Sequence, residues 1–189
     1  MDRKATLDFV KNNQDISILI IGGGINGLGT FRDLALQGVD VLLVERHDFC
    51  SGASAASSHM VHGGIRYLEN GEFRLVREAV HERNRLIKNA PHYVTPLATT
   101  IPVYKYLSGI LNAPLKFLNL LNRPSERGAL IIKMGLMMYD AYTKEQGGGA
   151  VPPHEFIGRS ESLKLYPHLD PDIVATATYY DAAMPSPER

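Results

Sequence analysis

Residues Ile16 to Glu45 read ISILIIGGGINGLGTFRDLALQGVDVLLVE, and this stretch constrains the fold more than any other in the chain. An apolar run, a glycine-rich turn, an amphipathic helix pattern and a second apolar run ending in an acid follow one another in that order. This is the order of a strand, turn, helix, strand unit that receives the diphosphate of a dinucleotide. Ile16 to Ile21 is apolar on both faces, as expected of a central strand in a parallel sheet. Gly22, Gly24 and Gly27 carry the spacing G-x-G-x-x-G: the first for a tight turn, the second for close approach of phosphate, the third for helix–strand packing. A helix from about Asn26 to Gln37 directs its unpaired N-terminal N–H groups at the anion, and Gly38 ends it. Val39 to Val44 is the adjacent parallel strand. Glu45 at its end lies about 20 residues on, where an acid accepts hydrogen bonds from a ribose 2′-hydroxyl, which favours FAD or NAD over NADP.

Composition sets the outer limits. The 189 residues include 44% hydrophobic ones, enough for a core, and 20 basic residues balance 20 acidic ones, so charge gives no argument for nucleic acid. The single cysteine, Cys50, makes no internal disulfide, which points to a reducing compartment and away from a cysteine metal site. Met1 to Asp15 lacks the apolar core of a signal peptide. No stretch approaches ~18 uninterrupted apolar residues.

After Glu45 the chain departs from a nicotinamide dehydrogenase, which continues into a second amphipathic helix and a third strand. Instead RHDFCSGASAASSHMVHGGIRYLE follows. Small and hydroxyl residues suit a chain that runs along an extended cofactor, with Ser54, Ser57 and Ser58 offering hydroxyls and Gly63 and Gly64 allowing backbone contact with a flat ring. A flexible serine loop is the alternative. His62 abuts those glycines; the other histidines, His47, His59, His81, His92, His154 and His168, show no metal-ligand spacing.

IGGGINGLG, Asp33, SSHMVHGGIRYLENGEFRLVREAVHER, NAPHYVTPL and GLMMYDAY together resemble the FAD-dependent, quinone-linked glycerol-3-phosphate dehydrogenases, over Ile16 to Asp181 apart from Tyr104 to Arg127. The resemblance implies an α/β protein with a Rossmann-like FAD-binding domain of the glutathione-reductase type and the start of an antiparallel substrate domain. It implies noncovalent FAD held by Gly22, Gly24, Ile25, Asn26, Gly27, Glu45, Arg46, Ser54, Ser57, Ser58, His62, Gly63 and Gly64. It further implies oxidation of glycerol 3-phosphate to dihydroxyacetone phosphate by hydride transfer, with electrons passed to quinone from a cytoplasmic or peripheral inner-membrane position. Arg66 and Tyr67 are the substrate-contact candidates, since a guanidinium forks onto a phosphate; the alternative for Arg66 is a salt bridge to Glu69 or Glu72. None of these residues reads as the base that takes the hydroxyl proton, so no catalytic residue is assigned. Leu28, Phe31, Gln37 and His59 depart from the family pattern, and the bulk of Leu28 and Phe31 calls for a compensating hollow.

The remaining chain reads as scaffold. Glu72 to Ala90 is a helix with Phe73, Val76, Val80 and Ile87 inward and Arg74, Glu78, Glu82 and Arg85 outward. Tyr93 to Tyr104 is an edge strand or short extended pieces, because of Pro96 and Pro102. Leu107 to Leu121, flanked by Lys105, Lys116, Arg123 and Arg127, is either a surface segment dipping into a bilayer or a buried helix pair. Gly128 to Thr143 and Arg159 to Leu165 are helices. The expected organisation is an extension over 1–15, an FAD-binding part over 16–150 with an insertion at 104–127, and a linker plus the start of a substrate domain over 151–189. On this reading Ile173 to Asp181 opens that domain as an unpaired strand edge, and the chain is a portion of a longer protein, inactive by itself. Two other readings are a flavoprotein oxidase of amino or hydroxy acids and a noncatalytic nucleotide-binding module.

Overall fold

The computed structural model describes residues 2–107, 128–145, 147 and 149–188, apart from the side chain of Glu69. The chain divides into two compact units, residues 1–59 with 186–189 and residues 60–185. The division expected at residue 150 is therefore not one between compact units: the sequence on both sides of it pairs into one sheet.

The first unit is the βαβ element. Helix α1 (Arg3–Asn12) precedes strand β1 (Ile18–Ile21), helix α2 (Ile25–Leu36) and strand β2 (Val41–Val44). β1 and β2 are parallel, with Ile18 opposite Val41 and Ile21 opposite Val44. α2 ends as its sequence requires: Gly38 takes φ 75°, its N–H reaches Ala35 O at 3.1 Å, and the Val39 N–H reaches Leu34 O at 3.1 Å. That pair of bonds satisfies two carbonyls the helix itself leaves open. The doubly buried central strand is not what is found. Among the described residues β1 pairs with β2 alone, and Leu19 and Ile21 are 51% and 82% exposed. Leu28 and Phe31 are half-buried, so their bulk needs no hollow.

The second unit is an antiparallel sheet covered by two helices. Its central strand is β6 (Ala175–Ala183), paired along all nine residues with β4 (Thr95–Val103). On the other side of β6 lie β5 (Glu155–Gly158) and β3 (Met60–Val61). Here the expectation of an unpaired edge at Ile173 to Asp181 is corrected: β6 is the most enclosed strand, because its partners come from remote parts of the chain. Of the two readings of Tyr93 to Tyr104, the structure has the edge strand, where a proline ring nitrogen turned outward costs no ladder bond. Helices α3 (Phe73–Asn89) and α4 (Ala129–Lys144) pack on one face. Val76 and Val80 of α3 and Leu136 and Tyr139 of α4 meet Ala175, Ala177 and Tyr179 of β6. The period of two along a strand sends Asp181 to that same face. A short helix, α5 (Arg159–Leu165), places Ser162 Oγ 2.9 Å from Oγ1 of Thr176, the second residue of β6.

The leucine-rich run and most of the expected insertion lie outside the described residues. At their ends Lys105 bridges Gly128, and the Ala129 N–H donates to Lys105 O at 2.8 Å. Among the described residues no helix is long and apolar enough to cross a membrane.

Candidate cofactor and substrate site

In the first unit the three motif glycines have three separable tasks. Gly22 has φ 107°, a conformation side chains resist, and its N–H donates to Val44 O at 2.9 Å, fastening the turn to β2. A Cβ on Gly27 would lie 2.0 Å from Gly22 O, so this glycine permits the helix–strand approach. A Cβ on Gly24 would meet only Ser54 Oγ, at 3.9 Å. The space in front of Gly24 is open. Gly24 at the N-cap has no side chain to cap α2; the Ile25 N–H meets Ser54 Oγ, and the Asn26 and Gly27 N–H groups lie at the positive end of the helix dipole.

A fourth glycine, absent from the motif, couples the turn to Glu45. Gly23 is buried, donates its N–H to Glu45 Oε2 at 2.6 Å, and accepts the Cys50 N–H at 2.8 Å. Glu45 Oε1 accepts the His47 N–H at 2.7 Å. These amides, His47 first and then Gly23, hold the Glu45 carboxyl below the usual carboxylate range. Each oxygen retains a lone pair for a ribose hydroxyl. The Ile25 N–H meets Ser54 Oγ at 3.4 Å. Gly22, Gly24, Ile25, Asn26, Gly27, Glu45 and Ser54 therefore converge on one turn; Gly24, Ile25 and Asn26 within it are exposed, as are Arg46, Ser57 and Ser58 outside it. Ser57 Oγ accepts the His59 N–H at 3.2 Å.

Because its folded pKa is depressed, Glu45 contributes stability that is fully present above the ordinary value of 4.5 and is lost as pH falls through the lower folded value. Glu45→Gln should raise the Kd for FAD, since its NH2 group opposes either the Gly23 or the His47 N–H. It should also flatten the acid limb of FAD retention below pH 4.5, which fluorescence of released flavin would follow; an unchanged Kd would leave Glu45 with no part in the site.

In the second unit the loop His62–Gly64 leads into a 3₁₀ helix, Ile65–Asn70. Gly64 at φ 71° and Gly71 at φ 74° bracket it. A Cβ on Gly63 would lie 2.1 Å from Tyr139 Oη and 2.6 Å from Val80 Cγ2, so only glycine lets this loop lie on α3 and α4. The Gly63 N–H donates to Asp181 Oδ1 at 2.9 Å. The same oxygen accepts the Tyr139 hydroxyl and Arg83 Nη1, the latter at 3.4 Å. Arg83 is fully buried and donates also to Tyr180 O at 2.7 Å, Thr143 Oγ1 at 2.9 Å and Asn84 Oδ1 at 2.9 Å. Its guanidinium carbon lies 5.1 Å from the Tyr139 ring centroid. Burial first, then the Asp181 charge, push the Tyr139 phenol far up, so it remains a donor.

Above this network lies a cavity of about 490 Å³, lined by His62, Gly64, Arg66, Tyr67, Tyr179 and Asp181 among others. Arg66 and Tyr67 are exposed at its wall. No ion pair joins Arg66 to Glu72, and the Glu69 side chain lies outside the described residues. His154 is tied to Asp140 at 2.7 Å and His81 to Glu145 at 3.0 Å, and the described residues hold no cluster of metal-ligating groups.

Sequence reading missed Arg83, Tyr139 and Asp181. The signal was present: Arg83 continues the buried spacing Val76, Val80, Ile87, where a cation needs a partner, and Asp181 continues the alternation of Ala175, Ala177 and Tyr179.

A glycine-cradled parallel βαβ unit with an acid ending its second strand defines an α/β protein of the Rossmann-like dinucleotide-binding class. Its family is more specific: the sequence pattern described as FAD dependent oxidoreductase matches residues 17–189, and the chain belongs to that family, whose cofactor is FAD. The residues fit this cofactor, because the room in front of Gly24 and the positive end of α2 beside it are what a diphosphate requires. A glycerol-3-phosphate dehydrogenase of Synechocystis sp. is 36% identical over 94% of this chain and 28% of its own length. One of Pseudomonas aeruginosa is 41% identical over 76% of this chain and 24% of its own. The chain thus spans about a quarter of the length of these curated relatives. Among solved structures, the glycerol-3-phosphate dehydrogenase from Bacillus halodurans complexed with FAD shares the fold, with a TM-score of 0.54 and 20% identity over 96% of this chain and 24% of that one.

Proposed function

We propose that the protein containing this chain oxidises sn-glycerol 3-phosphate to dihydroxyacetone phosphate and passes the electrons to quinone. The observation that carries this reading is the cavity lined by His62, Gly64, Arg66 and Tyr67, with the Arg66 guanidinium side chain exposed at its wall. The names of the relatives at 36% and 41% identity support the same substrate. When bound, FAD supplies the acceptor for the hydride that leaves C2.

The chain's own residues bind and orient. Gly22, Gly24, Ile25, Asn26 and Gly27 present the open turn and the helix start to the diphosphate, and Glu45 holds the ribose. Arg46, Ser54, Ser57 and Ser58 line the cofactor's course, and His62, Gly63 and Gly64 lie along the flavin. Arg66 forks onto the substrate phosphate and Tyr67 closes the same wall. The route to quinone runs through a peripheral contact with the cytoplasmic face of the inner membrane.

Anaerobic addition of glycerol 3-phosphate to the purified complete protein should bleach its flavin absorption. Bleaching by an amino or hydroxy acid and not by glycerol 3-phosphate would move the protein to the oxidase reading. Arg66→Ala should lower kcat/KM for glycerol 3-phosphate by roughly tenfold or more, the worth of a charge-assisted contact of about 1.5–3 kcal/mol. Glycerol turnover should change far less; equal losses would make Arg66 structural.

A further inference from the structure

Asp181 is engaged on one side only. Its side chain is 2% exposed, and all three of its described hydrogen bonds, from Gly63 N–H, Tyr139 Oη and Arg83 Nη1, end on Oδ1. No described hydrogen bond reaches Oδ2. Yet no fully buried side-chain oxygen among the described residues lacks a partner, and Asp181 lines the cavity that Arg66 and Tyr67 share. Oδ2 is therefore open to that cavity. An anionic acceptor at the inner end and a guanidinium at the wall make a bipolar cavity, matched to a ligand with an anionic head and an O–H donor further along. From this geometry we infer that Asp181 is a substrate-contacting residue whose Oδ2 accepts a hydroxyl hydrogen bond from a phosphorylated polyol while Arg66 takes its phosphate.

The inference rests on the function proposed above and deepens it. Arg83 has two consequences here: it offsets the charge of a carboxylate that could not otherwise be buried, and by sharing Oδ1 with Gly63 and Tyr139 it turns the second oxygen toward the ligand. The contact would be charge-assisted, hence sensitive to replacement by an amide.

Asp181→Asn tests this directly. The Asn carbonyl can occupy the Oδ1 position and keep the three protein donors, which puts an NH2 group where Oδ2 faced the cavity. Acceptor becomes donor without a change of shape. Binding to the complete holoprotein is measured by calorimetry with glycerol 3-phosphate and, separately, inorganic phosphate. The expected result is a Kd for glycerol 3-phosphate raised roughly tenfold to a hundredfold, with inorganic phosphate unchanged. Arg66→Ala, by contrast, should weaken both. Equal weakening of both probes by Asp181→Asn, or no weakening of either, overturns the inference and leaves the function standing. Failure of the wild-type protein to bind glycerol 3-phosphate overturns the function and the inference with it. Should the variant not fold, a crystal structure of the wild-type protein with glycerol 3-phosphate decides: a hydroxyl within hydrogen-bonding distance of Oδ2 is expected, and one turned elsewhere overturns the assignment.

Discussion

Gly24→Val in the complete protein is expected to give a folded but colourless product. Gly24 sits at φ −74° and ψ 178°, extended backbone that any residue adopts, and a Cβ there meets nothing nearer than Ser54 Oγ at 3.9 Å. The protein itself therefore has no objection to a side chain. The diphosphate does, because two methyl groups would fill the space between it and the start of α2. Gly27→Val is the informative contrast: its Cβ must lie 2.0 Å from Gly22 O, so β1 and α2 have to separate and flavin is lost together with local structure. Circular dichroism and flavin content separate the two variants. Stoichiometric FAD on Gly24→Val would sink the placement of the diphosphate.

The first unit was legible because its signals are local. Turn glycines, a helix period, a Schellman glycine and an acid at a set distance all act within thirty residues of one another, and each appears where the pattern put it. The cover of β1 was read wrongly for the same reason. Apolar residues on both faces say what a strand prefers, not what stands beside it. In the second unit the deciding contacts are remote in sequence: Leu97 opposite Asp181, Phe156 opposite Ala177, Met60 opposite Ala183. No local pattern announces those pairings, so β6 passed for an unpaired edge when it is the centre of the sheet. The site divides in the same way. Arg66 and Tyr67 are candidates that a motif offers, whereas Asp181, more than a hundred residues on, lines the same cavity only once β6 is in register beside β3.

Arg83→Ala should be the most destabilising single change in the second unit. The side chain is 0% exposed and its guanidinium serves Tyr180 O, Asp181, Asn84 and Thr143 at once. Truncation leaves the Asp181 carboxylate buried with no counter-charge and leaves Asn84 Oδ1 without its donors. Removing one partner of a buried pair costs about 3–5 kcal/mol, which urea unfolding followed by circular dichroism would register as a lower midpoint at unchanged slope. Arg74, nine residues earlier on the same helix, pairs with Glu78 at 2.8 Å, a tighter contact than the 3.4 Å between Arg83 and Asp181. Its side chain is 91% exposed, however, so Arg74→Ala should scarcely move the midpoint. Distance alone would rank the two pairs the other way round. Arg83→Met combined with Asp181→Asn removes both charges and keeps the acceptor for Gly63 and Tyr139. That pair should cost less than the sum of the two single changes, because neither partner is left as a lone buried ion. Additive losses would mean that packing against Tyr139, not charge compensation, is what Arg83 provides.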